Sequence, residues 1–175
     1  MTLTFNALDI ETANQYPESI CQIGIAHFYN GSIIDTWSTL VNPKTTFHYQ
    51  NIRVHGIRPE MVLGEPDFME IQEELQQRLD GTIIVSHTSF DQGVMNRAAD
   101  FYGIPRLNAT WLDSCKIARK VWHSDRQGES FGLKSLADWL GINFKHHDAL
   151  EDAITAGKIT LLASQHSGMN LDQLK

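Results

Sequence analysis

Leu3-Thr4-Phe5-Asn6-Ala7-Leu8-Asp9, then Ile20-Cys21-Gln22-Ile23-Gly24-Ile25-Ala26-His27-Phe28-Tyr29, joined through Asn30-Gly31 to Ser32 to Val41, is the stretch that decides the fold. The first run alternates apolar and polar residues and then runs apolar into a carboxylate, the period-two pattern of a half-buried strand. Asn30-Gly31 is a strong signal for a two-residue hairpin, because both central positions need positive φ. Three consecutive antiparallel strands are expected. Asn42-Pro43 closes the run, since proline has no N–H to give to a ladder.

Downstream the pattern changes. Thr45 to Pro66 is irregular, punctuated by His55-Gly56 and Arg58-Pro59, and is expected as a long loop holding one helical turn. Asp67 is placed to cap a helix running to about Leu79, with Phe68, Ile71, Leu75 and Leu79 at helical spacing and Asp80-Gly81 as its stop. Thr82 to Ser86 is a short β-branched run suited to a strand covered on both faces. It leads through His87-Thr88-Ser89, with Ser89 as cap, into a helix from near Phe90 to Gly103. Trp111-Leu112 is expected as a short fifth strand. Helices follow over Ser114 to Val121, Leu133 to Leu140 closed by Gly141, and Ala149 to about Ser164, with His123 to Ser130 as a mobile, solvated loop. Three antiparallel strands followed by strand and helix alternation make an α/β fold with a mixed sheet of about five strands, the later ones added in parallel and flanked by helices.

The 175 residues carry 14 basic and 21 acidic side chains, a formal charge of −7, with 42% hydrophobic residues. That composition excludes a disordered chain and implies a single domain, residues 1–175. A chain of this length buries enough surface to need no staple, so a bound metal serves chemistry. Cys21 and Cys115 are far apart and outside any C-x-x-C pattern. With no signal segment and no run long enough to span a membrane, a cytoplasmic protein is expected. A net negative charge gives no long-range attraction to a polyanion, but divalent cations held by carboxylates reverse the local field.

Asp9 and Glu11 are two apart on a strand and therefore share a face. Isolated, such a pair is solvated surface; bracketed by Leu8 and Ile10 it lies at a core edge, where a cation relieves the repulsion. Asp91 falls in the first turn of a helix that follows a buried strand, a position that the helix dipole also favours without any function. His147 and Asp152 are five apart in HHDALEDA. That separation does not share a helix face, so His147 is placed in the loop before the helix and Asp152 in its second turn. Asp9, Glu11, Asp91 and Asp152 are hard oxygen ligands suited to two Mg²⁺ or Mn²⁺ ions rather than zinc. A pair of such ions activates water for in-line phosphoryl displacement, and His147 adds a group that titrates near neutrality.

The series Asp9-x-Glu11-Thr12, His87-x3-Asp91 and His147-x4-Asp152 resembles the three motifs of the DEDDh-type 3′→5′ exonucleases, over about residues 3–163. Gln22-Ile23-Gly24, Asn42-Pro43, His55-Gly56-Ile57, Asp113 and the LKSLADWLGI segment are similar to that family's framework. The resemblance implies a ribonuclease H-like fold, metal binding by Asp9, Glu11, Asp91 and Asp152 with Asp9 as a bridge, and His147 as general base. It further implies that Thr12 and His55 lie near the terminal nucleotide. Where many relatives have His-Asn, this chain has His87-Thr88. Ile57 and Phe90 are candidates to stack on a base, with buried packing as the plainer role of both, and Arg126 is a candidate backbone contact.

The implied activity is release of nucleoside monophosphates from the 3′ end of single-stranded or frayed nucleic acid, DNA first and RNA as the alternative. A non-catalytic polymerase-associated module and a zinc protein using His146 and His147 are the competing readings. The spacing leaves a polymerase partner and a homodimer both open.

Overall fold

The computed structural model describes residues 3–175 and contains one five-stranded sheet in the order β3-β2-β1-β4-β5. The strands are β1 (Thr4–Thr12), β2 (Ile20–Tyr29), β3 (Ser32–Leu40), β4 (Ile83–Ser86) and β5 (Thr110–Asp113). β1 pairs antiparallel with β2, and β2 with β3 through the hairpin in which Asn30 and Gly31 both take positive φ. β4 and β5 add in parallel on the other side of β1. β1 runs three residues beyond the expected end, so Asp9 and Glu11 are paired strand residues, opposite Gly24 and Gln22.

Helices α1 (Tyr49–His55), α2 (Phe68–Leu79), α3 (Phe90–Tyr102), α4 (Ser114–Trp122), α5 (Leu133–Leu140), α6 (Ala149–Ser167) and α7 (Leu171–Leu174) complete the chain. Phe68, Ile71, Leu75 and Leu79 of α2 and Val94, Met95 and Ala98 of α3 pack on one sheet face around Leu8, Ile10 and Ile23. α4, α5 and α6 cover the other face, where Phe5, Ala7 and Phe28 meet Ile117, Leu136, Ala153 and Ile159. Asp67 starts α2 by accepting from Glu70 N–H at 3.0 Å while the Glu70 carboxylate accepts from Asp67 N–H at 2.8 Å. This reciprocal cap satisfies two donors that a helix start leaves open.

Four local expectations are corrected. The segment after Pro43 contains the two-turn helix α1, which buries none of its residues, so no apolar period announces it. Ser89 occupies the N-cap of α3 without using its side chain; Phe90 N–H donates instead to Thr88 Oγ1 at 3.3 Å. The stretch from His123 to Ser130 is not a free loop, because Arg126 is drawn inside to 5% exposure and bonds Ser130 O and Ser135 Oγ. An exposed backbone contact by Arg126 is thereby ruled out. Phe90 is half exposed where packing was expected, whereas Ile57 is buried as expected. Among the described residues no helix is long and apolar enough to cross a membrane, and Cys21 and Cys115 are both free thiols.

Candidate active site

The strand period builds the site. Phe5 and Ala7 of β1 sit under α6, and Asp9 and Glu11 continue that row beyond them, since alternate residues share a face. The start of α6 is seated on β2 beside the two acids. At Gly24, directly opposite Asp9, an added Cβ would lie 2.3 Å from Leu150 N and 2.4 Å from Ala149 C, so only glycine lets the helix come this close. Gln22, opposite Glu11, accepts from Ala149 N–H at 3.2 Å. The Gln22-Ile23-Gly24 framework is thus the seat of α6, and it delivers Asp152. Ligand oxygens of Asp9, Glu11 and Asp152 all lie within 4.8 Å of one another.

Asp91 arrives from the opposite face. β4 ends at Ser86 while β1 continues, leaving the outer edge of β1 without a strand. Asp91, on the first turn of α3, fills part of that gap by accepting from Ile10 N–H at 3.1 Å, between Asp9 and Glu11. It lies outside the trio brought within 4.8 Å, yet close enough for its charge to act on Asp9.

Burial and mutual repulsion define the electrostatics. Desolvation, then the charges of Asp91, Asp152 and Glu11, raise Asp9 far above the carboxylate range. Glu11 is pushed up to about 8 by burial and by Asp152 and Asp91. Burial lifts Asp91 to about 7 against the hydrogen bonds it accepts. Asp152 is raised by burial, opposed by its bonds from His146 and His147 N–H. Acids with so little solvation stay ionised only beside compensating positive charge, and their donor set is oxygen alone, so the residues fit a hard divalent cation.

His147 lies in the connection before α6, as expected, at φ 66. Its N–H donates to Asp152 Oδ2 at 3.1 Å, and burial together with His146 holds its imidazole below the usual histidine range. Sequence reasoning offered His146 only as a ligand in the competing zinc reading and did not foresee its bond to Asp152. Its Nδ1 is 3.1 Å from both carboxylate oxygens of Asp152, and its ring stacks on His147 with centroids 3.8 Å apart. His146, His147 and Asp152 form a second cluster with ligand-type geometry, but no further His or Cys joins it among the described residues. The only available signal for His146 was its adjacency to His147.

The remaining expected residues are spoken for by structure. His55 accepts from Ile57 N–H at Nδ1, 3.0 Å, and therefore donates from Nε2 to Thr12 O at 3.2 Å. Thr12 O also accepts from Asn51 Nδ2 at 2.8 Å, so α1 and the His55 turn clasp the end of β1. His87 is tied likewise, with Nε2 to Phe131 O at 3.1 Å and Nδ1 to Ser114 Oγ at 2.8 Å. Thr88 stands at φ 77, where a β-branched side chain is strained and asparagine is tolerated. Thr88→Asn is expected to raise stability by about 1 kcal/mol, since its amide oxygen can still accept from Phe90 N–H. Urea denaturation of the two proteins checks this, and a destabilised variant contradicts it.

A family model described as an exonuclease family, RNase T, matches residues 7–160. The chain belongs to the RNase T exonuclease family. Its motif pattern is that of the DEDDh exonucleases, and it is a hydrolytic nuclease. The exonuclease is 27% identical over 162 residues, 90% of its length, to the DNA polymerase III PolC-type of Thermotoga petrophila. It is 28% identical over 155 residues, 86% of its length, to that of Clostridium perfringens. It spans 12% and 10% of the length of those two relatives. Among solved structures, Exonuclease X in complex with 5′ overhanging duplex DNA superimposes with TM-score 0.77 at 22% identity, covering 97% of this chain and 96% of that one. The nuclease domain of 3′hExo, a DEDDh member bound to rAMP, gives 0.75 at 18%, covering 93% and 92%. These likenesses confirm the mixed-sheet fold.

Proposed function

We propose that this exonuclease removes nucleoside monophosphates from the 3′ end of single-stranded or frayed nucleic acid, DNA before RNA, with two divalent cations. The observation that carries the reading is the convergence of Asp9, Glu11 and Asp152 within 4.8 Å beside His147, with Asp91 bonded to the strand between the first two. Asp9, Glu11, Asp91 and Asp152 would hold Mg²⁺ or Mn²⁺, with Asp9 shared. When bound, such ions neutralise the scissile phosphate and lower the pKa of water.

The chain's own part is orientation and proton transfer. His147, kept neutral by burial, accepts the proton of the attacking water, whose oxygen displaces the 3′-oxygen of the next nucleotide. His146 orients Asp152 through its bond of 3.1 Å. Thr12 and His55, joined through His55 Nε2 and Thr12 O, form one wall for the terminal nucleotide, with the His55 donor spent inside that wall. Residues 1–175 would act as one exonuclease domain, in the cytoplasm, where Cys21 and Cys115 stay reduced. The polymerase III relatives and the Exonuclease X complex support a DNA strand, while the rAMP bound by 3′hExo supports the RNA alternative.

Incubation with 5′-labelled DNA and RNA of one sequence, in Mg²⁺, Mn²⁺ or EDTA, tests the reading on a denaturing gel. A metal-dependent ladder shortening from the 3′ end is expected, faster on DNA. Products shortened from the 5′ end, or equal cleavage in EDTA, contradict it.

A further inference from the structure

His146, His147 and Asp152 bring two imidazoles and a carboxylate to one point, with ligand atoms within 4.8 Å of one another, and share only Asp152 with the cluster of Asp9 and Glu11. Consecutive side chains diverge along a strand and around a helix, so two neighbouring rings on one side need an unusual backbone. His147 supplies it. At φ 66 the chain turns left-handed there, and the two rings lie 19° from parallel with centroids 3.8 Å apart. The carboxylate is aligned by both residues. Asp152 Oδ2 accepts from His147 N–H at 3.1 Å, and His146 Nδ1 stands 3.1 Å from Oδ1 and from Oδ2. Nitrogen and oxygen ligands on one tetrahedral zinc ion, each about 2.0 to 2.1 Å from the metal, lie about 3.3 Å from each other. The spacing of His146 and Asp152 is already close to that of two zinc ligands.

Ligand chemistry sorts the two clusters. Imidazole nitrogen suits Zn²⁺, whereas Mg²⁺ asks for oxygen in an octahedron, which Asp9 and Glu11 serve and a histidine pair does not. We propose that His146, His147 and Asp152 form a zinc site that switches the exonuclease off. Three protein ligands and a water complete the tetrahedron. The ion has a way in from solvent, because the His146 side chain is 30% exposed and lines an open cleft with Ser130, Gly132 and Lys134. A neutral imidazole has one lone pair, so a zinc ion on His147 leaves nothing to accept the proton of the attacking water. The same ion draws on the Asp152 carboxylate that would otherwise serve the catalytic cations. The inhibition rests on the exonuclease reading above; the binding of zinc does not.

Zinc affinity, measured in excess Mg²⁺ by competition with a chromophoric chelator, separates this site from the catalytic one in two variants. Asp9→Asn removes an acid that the zinc does not touch and is expected to bind zinc as the wild-type protein does. His146→Asn keeps an amide donor facing Asp152 but loses the imidazole, and it is expected to bind zinc about a hundredfold more weakly. The reverse pattern puts the ion among the catalytic acids and overturns the proposal, as does wild-type protein that takes up no zinc. Proton NMR of the wild-type protein gives a reading that needs no variant. Zinc is expected to move the ring signals of His146 and His147 together, out of eight histidines, and signals that stay in place overturn the site. In the gel assay with Mg²⁺, a small excess of zinc over protein is expected to slow the wild-type protein about a hundredfold, the scale of a lost general base. His146→Asn, judged against its own zinc-free rate, is expected to need far more zinc for the same slowing. Zinc bound without slowing overturns the switch. If the wild-type protein shortens no oligonucleotide, the exonuclease reading falls and the switch with it, while the chelator titration still decides the zinc site.

Discussion

Asp9→Asn is expected to reduce phosphodiester hydrolysis by about a thousandfold or more while making the metal-free protein more stable. The activity loss follows from geometry. Asp9 lies within 4.8 Å of Glu11 and Asp152, and burial, then the charges of Asp91, Asp152 and Glu11, all raise its pKa, so it stands amid the charge that a cation would meet. A thousandfold loss corresponds to about 4 kcal/mol of transition-state stabilisation, the scale on which one cation ligand acts. The stability gain follows from the same burial. Asparagine has nearly the shape of aspartate but carries no charge, and it removes the repulsion from Asp91, Asp152 and Glu11. Opposite signs in the two measurements separate loss of chemistry from loss of fold. Asp152→Asn is expected to behave alike in activity, whereas Asp91→Asn keeps an oxygen for Ile10 N–H and so keeps the edge of β1 in place. Rates near wild type for Asp9→Asn in Mg²⁺, with the protein folded, would remove Asp9 from the site.

How far the sequence discloses such a site depends on whether the residue's role is periodic or local. Strand pairing and the shared face of Asp9 and Glu11 are periodic properties, and the hairpin signal of Asn30-Gly31 fixes the register of β2 on β3, whereas the register of β1 on β2 that places Gly24 and Gln22 opposite the acids has no such turn to announce it. Asp67 shows its cap through the acid three residues on. Asp91 is legible as a helix-start acid, but not its bond to Ile10, which depends on β4 being shorter than β1. α1 escapes because a helix that buries nothing has no apolar stripe to read. Arg126 misleads for a related reason. Its surroundings in sequence, from His123 to Ser130, are polar, and only the approach of Trp139 and Phe131 from α5 and the residues before it takes the charge out of water. His146 shows the limit most plainly, since two adjacent histidines are equivalent in sequence and only the left-handed turn at His147 decides which ring reaches Asp152.

In EDTA the protein is expected to lose stability as pH rises from neutrality to about 8, and divalent cations are expected to restore it. The sign comes from the acids. Glu11 at about 8 and Asp91 at about 7, with Asp9 also raised, keep protons in the folded state that the unfolded chain releases near pH 4. Between those limits the folded state binds more protons, so their contribution is complete below the unfolded pKa and is lost as pH climbs through the folded values. The histidines act in the other direction. His55, His87 and His147 are all held below the ordinary range, chiefly by burial, so the unfolded chain takes up their protons first and stability rises with pH up to about 6.5. The two trends cross, and the decline above neutrality isolates the acids. A loss of about 3 kcal/mol would lower Tm by roughly 10 °C in a chain of this size. Glu11→Gln is expected to flatten the decline, because the amide has nothing to ionise. Mn²⁺ at about 100 times its Kd is expected to return about 2.7 kcal/mol at pH 8 and little at pH 5, where protons already occupy the acids. Thermal unfolding across pH, with EDTA and with Mn²⁺, measures all of this at once. A Tm that stays level between neutrality and pH 8 in EDTA, and does not move with Mn²⁺, would mean that the four acids are not the buried, mutually repelling cluster described here.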